Sequence, residues 1–285
     1  MSVGQFIAPA IEAPDTTLPV ITPTVTRTQG ASGWYTSDVS VSWTVSDLES
    51  DVTPTSGCES VSVTSDTNGT VVTCSATSGG GTSANTVTIT RDATPPVINI
   101  VAPTGTSYLT NQSRAASFSC LDAGAGIASC LGTVADGAIL PTMSAGSRTF
   151  VVHASDVPGN TSSATVNYGV TFNVCPLYDT GKARKSGSTI PIKLQLCDAR
   201  GTNVSSVDTT ATAVGVYLTS TQTPGNLDDS GNANPDFNFR FDPTLGLGGG
   251  YIFNLSLKGF GQGTYAMTFR ASNDPVTHTI QFQVR

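Results

Sequence analysis

Charge is scarce in this chain: Lys, Arg, Asp and Glu make up 12% of 285 residues, with only 13 basic against 20 acidic side chains. The formal net charge of −7 makes the molecule as a whole repel a phosphate backbone, which argues against nucleic acid as a partner. The one basic grouping, Lys182, Arg184 and Lys185, reads as a solvated loop. Long apolar runs are also missing. No stretch reaches the roughly 18 residues that a membrane-spanning helix needs, so no membrane span is expected. Met1 to Pro14 lacks a basic segment followed by an apolar one and does not read as a signal peptide, so either an export signal is expected upstream in a longer parent or the chain is a fragment.

Histidine is scarcer still. With only His153 and His278, placed in different parts of the chain, a Ser-His-Asp or Cys-His arrangement would have to be assembled from separate modules. Neither Gly-x-Ser-x-Gly nor His-Glu-x-x-His occurs, and no carboxylate pair can be nominated for glycoside hydrolysis. The chain is therefore expected to be non-enzymatic.

What remains is rich in Thr, Ser, Gly (29) and Pro (16), a balance that favours short strands and turns over long helices. The hydrophobic content of 38% suffices for several small cores, because a sandwich strand needs an apolar residue only at every second position. Six cysteines fall as three close pairs, Cys58 with Cys74, Cys120 with Cys130, and Cys175 with Cys197. None has Cys-x-x-Cys spacing, so local disulfides are the economical reading, and they place the protein in an oxidising, extracellular compartment. Six buried free thiols are the alternative.

Asp15-Thr-Thr-Leu-Pro-Val-Ile21 recurs 77 residues later as Asp92-Ala-Thr-Pro-Pro-Val-Ile98, and Asp47-Leu-Glu-Ser-Asp-Val before Cys58 matches Asp122-Ala-Gly-Ala-Gly-Ile before Cys130. A repeat of that length is a whole small domain. The expected fold is all-β: a linker over 1–14, Ig-like modules over 15–91 and 92–170, and a third β-sandwich over 171–285. Period-two strands are expected at 21–26, 39–45, 61–64, 71–76 and 87–90, then 97–101, 116–120, 149–154 and 164–170. The third module should use 190–196, 213–218, 237–241, 251–257, 264–271 and 278–284. Trp43 is the expected anchor of the first core, Asp66 to Gly69 and Ser78 to Gly81 are expected turns, and His153 is expected half-buried.

The opening Asp-x-Thr-x-Pro-Val-Ile motif and the hairpin Ala154-Ser-Asp-Val-Pro-Gly-Asn160 resemble bacterial Ig-like, hyalin-repeat-like modules. Lys185-Ser-Gly-Ser-Thr-Ile-Pro-Ile-Lys-Leu194, Asn254-Leu255 and Gly263-Thr-Tyr265 resemble the C-terminal PxKF domain of secreted bacterial proteins, with Leu194 in place of its Phe. Together these resemblances cover Asp15 to Arg285. They imply a non-catalytic spacer or attachment region of a secreted or cell-surface protein, partnered by other domains of a longer parent. Two alternatives are an adhesive module for surface polysaccharide or protein, with Trp34, Tyr35 and Tyr251 as its platform, and the tail of a secreted hydrolase.

No cofactor is expected. For calcium, the candidates are Asp228, Asp229, Asn232, Asn234 and Asp236 around a glycine, a loop lacking the distal Glu of an EF-hand, and the junction carboxylates Asp15, Asp47, Asp51, Asp92, Asp122 and Asp156. Lys193 should face solvent or a loop, since Ile192, Leu194 and Leu196 share the opposite face.

Overall fold

The computed structural model describes residues 13–30, 32–228, 230 and 235–285. Strands occupy 54% of the chain, and no α-helix occurs among the described residues. In chain order the strands begin with β1 (Val20–Val25), β2 (Val39–Ser46), β3 (Thr53–Ser56), β4 (Val61–Val63), β5 (Thr67–Ser78) and β6 (Gly81–Arg91). They continue with β7 (Val97–Ala102), β8 (Ser107–Leu109), β9 (Ser117–Leu121), β10 (Ile127–Gly132), β11 (Gly146–Asp156) and β12 (Thr161–Thr171). The remainder are β13 (Asn173–Pro176), β14 (Ala183–Arg184), β15 (Thr189–Cys197), β16 (Ala211–Leu218), β17 (Pro224–Gly225), β18 (Arg240–Asp242), β19 (Gly250–Ser256), β20 (Gly263–Ala271) and β21 (Thr277–Val284).

The chain divides into two compact units. The first takes in the described part of Met1–Ile98 with Ser119–Cys130 and His153–Ser163; the second takes in Asn99–Phe118, Leu131–Val152 and Ala164–Arg285. The first unit contains the sheets β1-β2-β4 and β3-β5-β6, and the second contains β13-β15-β19-β18 and β14-β21-β20-β16-β17. Strands β10-β11-β12-β8 form a further sheet, and β7 pairs with β9. These are β-sandwiches of Ig-like character, and disulfides join Cys58 to Cys74, Cys120 to Cys130 and Cys175 to Cys197, as the spacing implies.

Alternation along β2 buries Val39 and Val41 against Tyr35, Val63, Val72 and Ile89. Trp43 is half-buried rather than the centre of a core: it packs on this cluster and on a second one of Ile21, Cys74 and Ala76. Two small clusters, one of them with Tyr35 among Val and Ile side chains, make a thin interior. The Cys58–Cys74 bond sits in the second of them, and closing its loop contributes about 3 kcal/mol in the chain-entropy model. The β5–β6 hairpin turns at Gly79-Gly80, where a Cβ on Gly80 would collide with the Thr17 carbonyl.

Two expected elements differ. Asp66 to Gly69 is not a turn: β5 starts at Thr67, paired with Arg91, and a bulge at Asn68-Gly69 returns the ladder to register at Thr70 opposite Ile89. Phe237 does not open a strand, because Asp236 and Phe237 both take positive φ, near 59° and 57°, in a short 3-10 turn. The extended chain resumes only at Arg240.

In the second unit β15 lies between β13 and β19 and buries Ile190, Ile192, Leu194 and Leu196 in a core that includes Phe253, Phe269 and Phe282. Lys193 is half-buried opposite Ile252, and Asn254 stands opposite Pro191.

Candidate functional site

Asp92 begins the second copy of the repeated Asp-x-Thr-x-Pro-Val-Ile motif, and its side chain is completely buried. Burying a carboxylate is costly unless donors meet it. Here Thr94 N donates to Oδ1 at 3.2 Å, and Ala125 N donates to Oδ2 at 2.7 Å. Gly124 is required beside it, since a Cβ there would overlap the Asp92 carboxylate. The Asp92 carbonyl accepts from Asn160 Nδ2 at 3.0 Å, and the Pro96 carbonyl accepts from Ser162 Oγ at 2.6 Å.

The same stretch is held from β6 and the start of β5. Asp66 accepts from Ala93 N at 2.9 Å and from Thr94 Oγ1 at 2.5 Å, and it forms an ion pair with Arg91 at 2.5 Å. Arg91 also pairs with Asp38 at 2.8 Å. The Thr94 hydroxyl, followed by the Ala93 N–H, holds the Asp66 carboxyl below its ordinary range against the opposing effect of burial. Residues 92–96 are thus bonded from both flanks.

Two more carboxylates converge on Asp92. Asp122 accepts from Gly124 N at 3.1 Å and Gly126 N at 2.8 Å. Asp156, almost wholly buried, accepts from Gly159 N, Asn160 N and Asn160 Nδ2 at 2.7 to 2.8 Å. One oxygen from each of Asp92, Asp122 and Asp156 lies within 4.8 Å of the others. Among the described residues none of the three is in a salt bridge, and the donor set of hard oxygens is one a divalent cation accepts. A cleft beside them is lined by Asp66, Asn68, Asp92, Thr94, Asp122 and Gly124.

The other junction carboxylates stand apart from this cluster. Asp15 accepts from Thr17 N at 2.9 Å, Gly80 N at 2.8 Å and Ser50 Oγ at 2.5 Å, and the Ser50 bond leads in holding its carboxyl at about 2. Asp47 accepts from Glu49 N at 2.9 Å, and Asp51 is exposed.

Asp228, the start of the candidate calcium loop, is half-buried and its carbonyl accepts from Ser256 N; Asp236 is exposed at positive φ. Asp229, Asn232 and Asn234 lie outside the described residues. The aromatic platform is not assembled. Tyr251 is 1% exposed in the β19 core, with its hydroxyl donating to Ser206 O, and Tyr35 is 8% exposed in the first core. Trp34 alone is partly accessible.

Sequence reasoning missed a second clamp. His278 is buried and its Nε2 lies 2.8 Å from Asp274 Oδ2, which also accepts from Thr171 Oγ1 and Phe172 N at 3.0 Å. An Asp and a His four residues apart across a tight turn was the available signal. Nearby, Asn111 Nδ2 donates to Asp198 at 3.1 Å and Ala199 N to the Thr110 carbonyl at 3.0 Å. His153 is exposed rather than half-buried, because it falls on the outward phase of β11.

No protein-family model matches the chain, and no curated protein matches it. Among solved structures, a three-Ig-domain fragment of titin is 12% identical over 87% of this chain and 91% of its own, with a TM-score of 0.31. Immunoglobulin domains 1–5 of Sidekick-1 are 12% identical, cover 93% of this chain and give a TM-score of 0.32; this chain spans 59% of theirs. The Protocadherin GammaB4 extracellular domain is 12% identical over 86% of this chain, which spans 45% of it, with a TM-score of 0.30.

Proposed function

We propose that this chain is a non-catalytic spacer or attachment region of a secreted or cell-surface protein, built from Ig-like modules over 15–91 and 92–170 and a PxKF-like module over 171–285. The observation that carries this reading is the bonding of residues 92–96 on both flanks: Asp66 holds Ala93 and Thr94, while Asn160 and Ser162 hold the carbonyls of Asp92 and Pro96. A flexible tether leaves its backbone to water; a connector that must hold position bonds it. Three disulfides support the extracellular assignment. With Tyr35 and Tyr251 in cores, the adhesive alternative retains only Trp34 of its platform. Other domains of a longer parent are the expected partners.

The Arg91–Asp92 bond provides the test, since trypsin cleaves after arginine. Native protein should resist cleavage there, and Asp66→Ala should open the site without unfolding the sheets. Rapid cleavage of the native chain after Arg91 would count against a locked connector.

The convergence of Asp92, Asp122 and Asp156 favours a second reading of the same joint, in which calcium binds the three carboxylates. Titration calorimetry should then detect calcium binding that Asp122→Asn weakens. Equal heats for the two proteins would exclude this reading and leave the first intact.

A further inference from the structure

Asn68-Gly69 is the single Asn-Gly step in the sequence, and it occupies the bulge of β5. The ladder pairs Thr67 with Arg91 and Thr70 with Ile89, so neither Asn68 nor Gly69 has a partner in register. Gly69 has φ near 155°, a conformation that suits glycine. Asn68 is exposed and its carboxamide donates no hydrogen bond among the described residues. The carboxamides of three other asparagines are engaged: Asn111 on Asp198, Asn160 on Asp156 and the Asp92 carbonyl, and Asn203 on the Leu247 and Gly249 carbonyls.

From this geometry we infer that Asn68 is a site of self-modification, at which the chain converts an amide to a carboxylate beside the joint. The Gly69 backbone nitrogen attacks Asn68 Cγ, the Cγ–Nδ2 bond breaks, and the Gly69 proton leaves with the nitrogen as ammonia. The cyclic imide then takes up one water. Opening at Cγ restores the main chain and leaves aspartate; opening at the backbone carbonyl leaves isoaspartate. No oxidant, reductant or enzyme is required. Glycine at the second position leaves the attacking nitrogen without a flanking Cβ, its N–H meeting the Thr67 hydroxyl at 3.2 Å rather than a cross-strand carbonyl, and the bulge frees the step from the ladder that would hold a regular strand extended. The product carries one more negative charge at the cleft that Asp66, Asp92 and Asp122 line.

Purified protein incubated at mildly alkaline pH and physiological temperature should show a gain of about 1 Da, the replacement of NH3 by water, in the peptide containing Asn68. That gain should precede any at Asn111, Asn160 or Asn203, and isoaspartyl methyltransferase should label the same peptide. Gly69→Ala should slow the conversion, and Asn68→Gln should abolish both the mass gain and the label at that position. Conversion of Asn68 no faster than that of the bonded asparagines in the same native sample would overturn the inference, whether or not Gly69→Ala folds.

Discussion

Asp15 and Asp92, 77 residues apart, make the same local bond: each carboxylate accepts the N–H of the residue two positions on, Thr17 at 2.9 Å and Thr94 at 3.2 Å. Each also reaches a distant backbone N–H, Gly80 for Asp15 and Ala125 for Asp92. The repeat therefore copies an anchoring device, and the two copies differ in what gathers around it. Around Asp92 stand two further carboxylates; at Asp15 the Ser50 hydroxyl is the leading partner.

Removing the Asp92 carboxylate takes the acceptor from the Thr94 and Ala125 N–H groups, both in a partly buried setting. Asp92→Ala should cost about 1–3 kcal/mol, read as a lower urea midpoint with an unchanged slope.

Gly124 and Gly126 separate two kinds of glycine requirement. Gly124→Ala drives a methyl group into the Asp92 carboxylate, whereas Gly126, at φ near 88°, has open space for a Cβ but an unsuitable backbone. Both substitutions should destabilise. If calcium binds at this joint, both should weaken it in calorimetry, Gly124→Ala by displacing the Asp92 carboxylate and Gly126→Ala by straining the loop whose N–H holds Asp122 at 2.8 Å.

Much of this was legible in the sequence and some was not, for physical reasons. Cys58 and Cys74 lie close in sequence and share a module, so their bond could be read from spacing. The repeat marked Asp15 and Asp92. That Asp122 and Asp156 meet Asp92 depends on loops folding back from separate strands, which local pattern does not encode. Trp43 looked like an anchor because its alternation is correct, yet the side chains around it form two clusters with the indole between them. Tyr251 looked available for a ligand because aromatic residues serve cores and binding platforms equally well; it is buried because its face of β19 packs into the core with Phe253 and Leu255. The Asp66 clamp was hidden because a turn-like composition, Asp-Thr-Asn-Gly, was accommodated as a strand bulge.

Acid should destabilise the fold in a defined window. Asp15, Asp66, Asp198, Asp242 and Asp274 all have carboxyls held below the ordinary value of 3.8, Asp15 at about 2. For Asp274, burial is the largest influence and opposes this, but His278, Phe172, Val276 and Thr171 together outweigh it. Because the unfolded chain takes up protons first, these groups stabilise the fold above their unfolded range. That contribution is lost as pH falls below 3.8, for Asp15 down to about 2. Melting temperature should therefore be nearly flat from neutral pH to about 5 and fall below about 4, and Asp274→Asn should make the fall shallower.

Reduction of the Cys58–Cys74 bond should be felt strongly, because the cluster it joins contains only Ile21, Cys74 and Ala76 as buried residues. The double replacement Cys58→Ser with Cys74→Ser should lower stability by about 2–4 kcal/mol, measured by urea unfolding under oxidising conditions that leave the other two bonds intact.

Amide hydrogen exchange at Ala93 and Thr94 tests the locked connector most directly. Their N–H groups donate to Asp66 and Asp92, so in native protein both should be protected to the level of the flanking β5 and β6 amides. Asp66→Ala should release Ala93 while leaving Thr94 more protected, because Thr94 keeps its bond to Asp92. Exchange of Ala93 and Thr94 in the unaltered chain at the rate of an unstructured peptide would contradict the account.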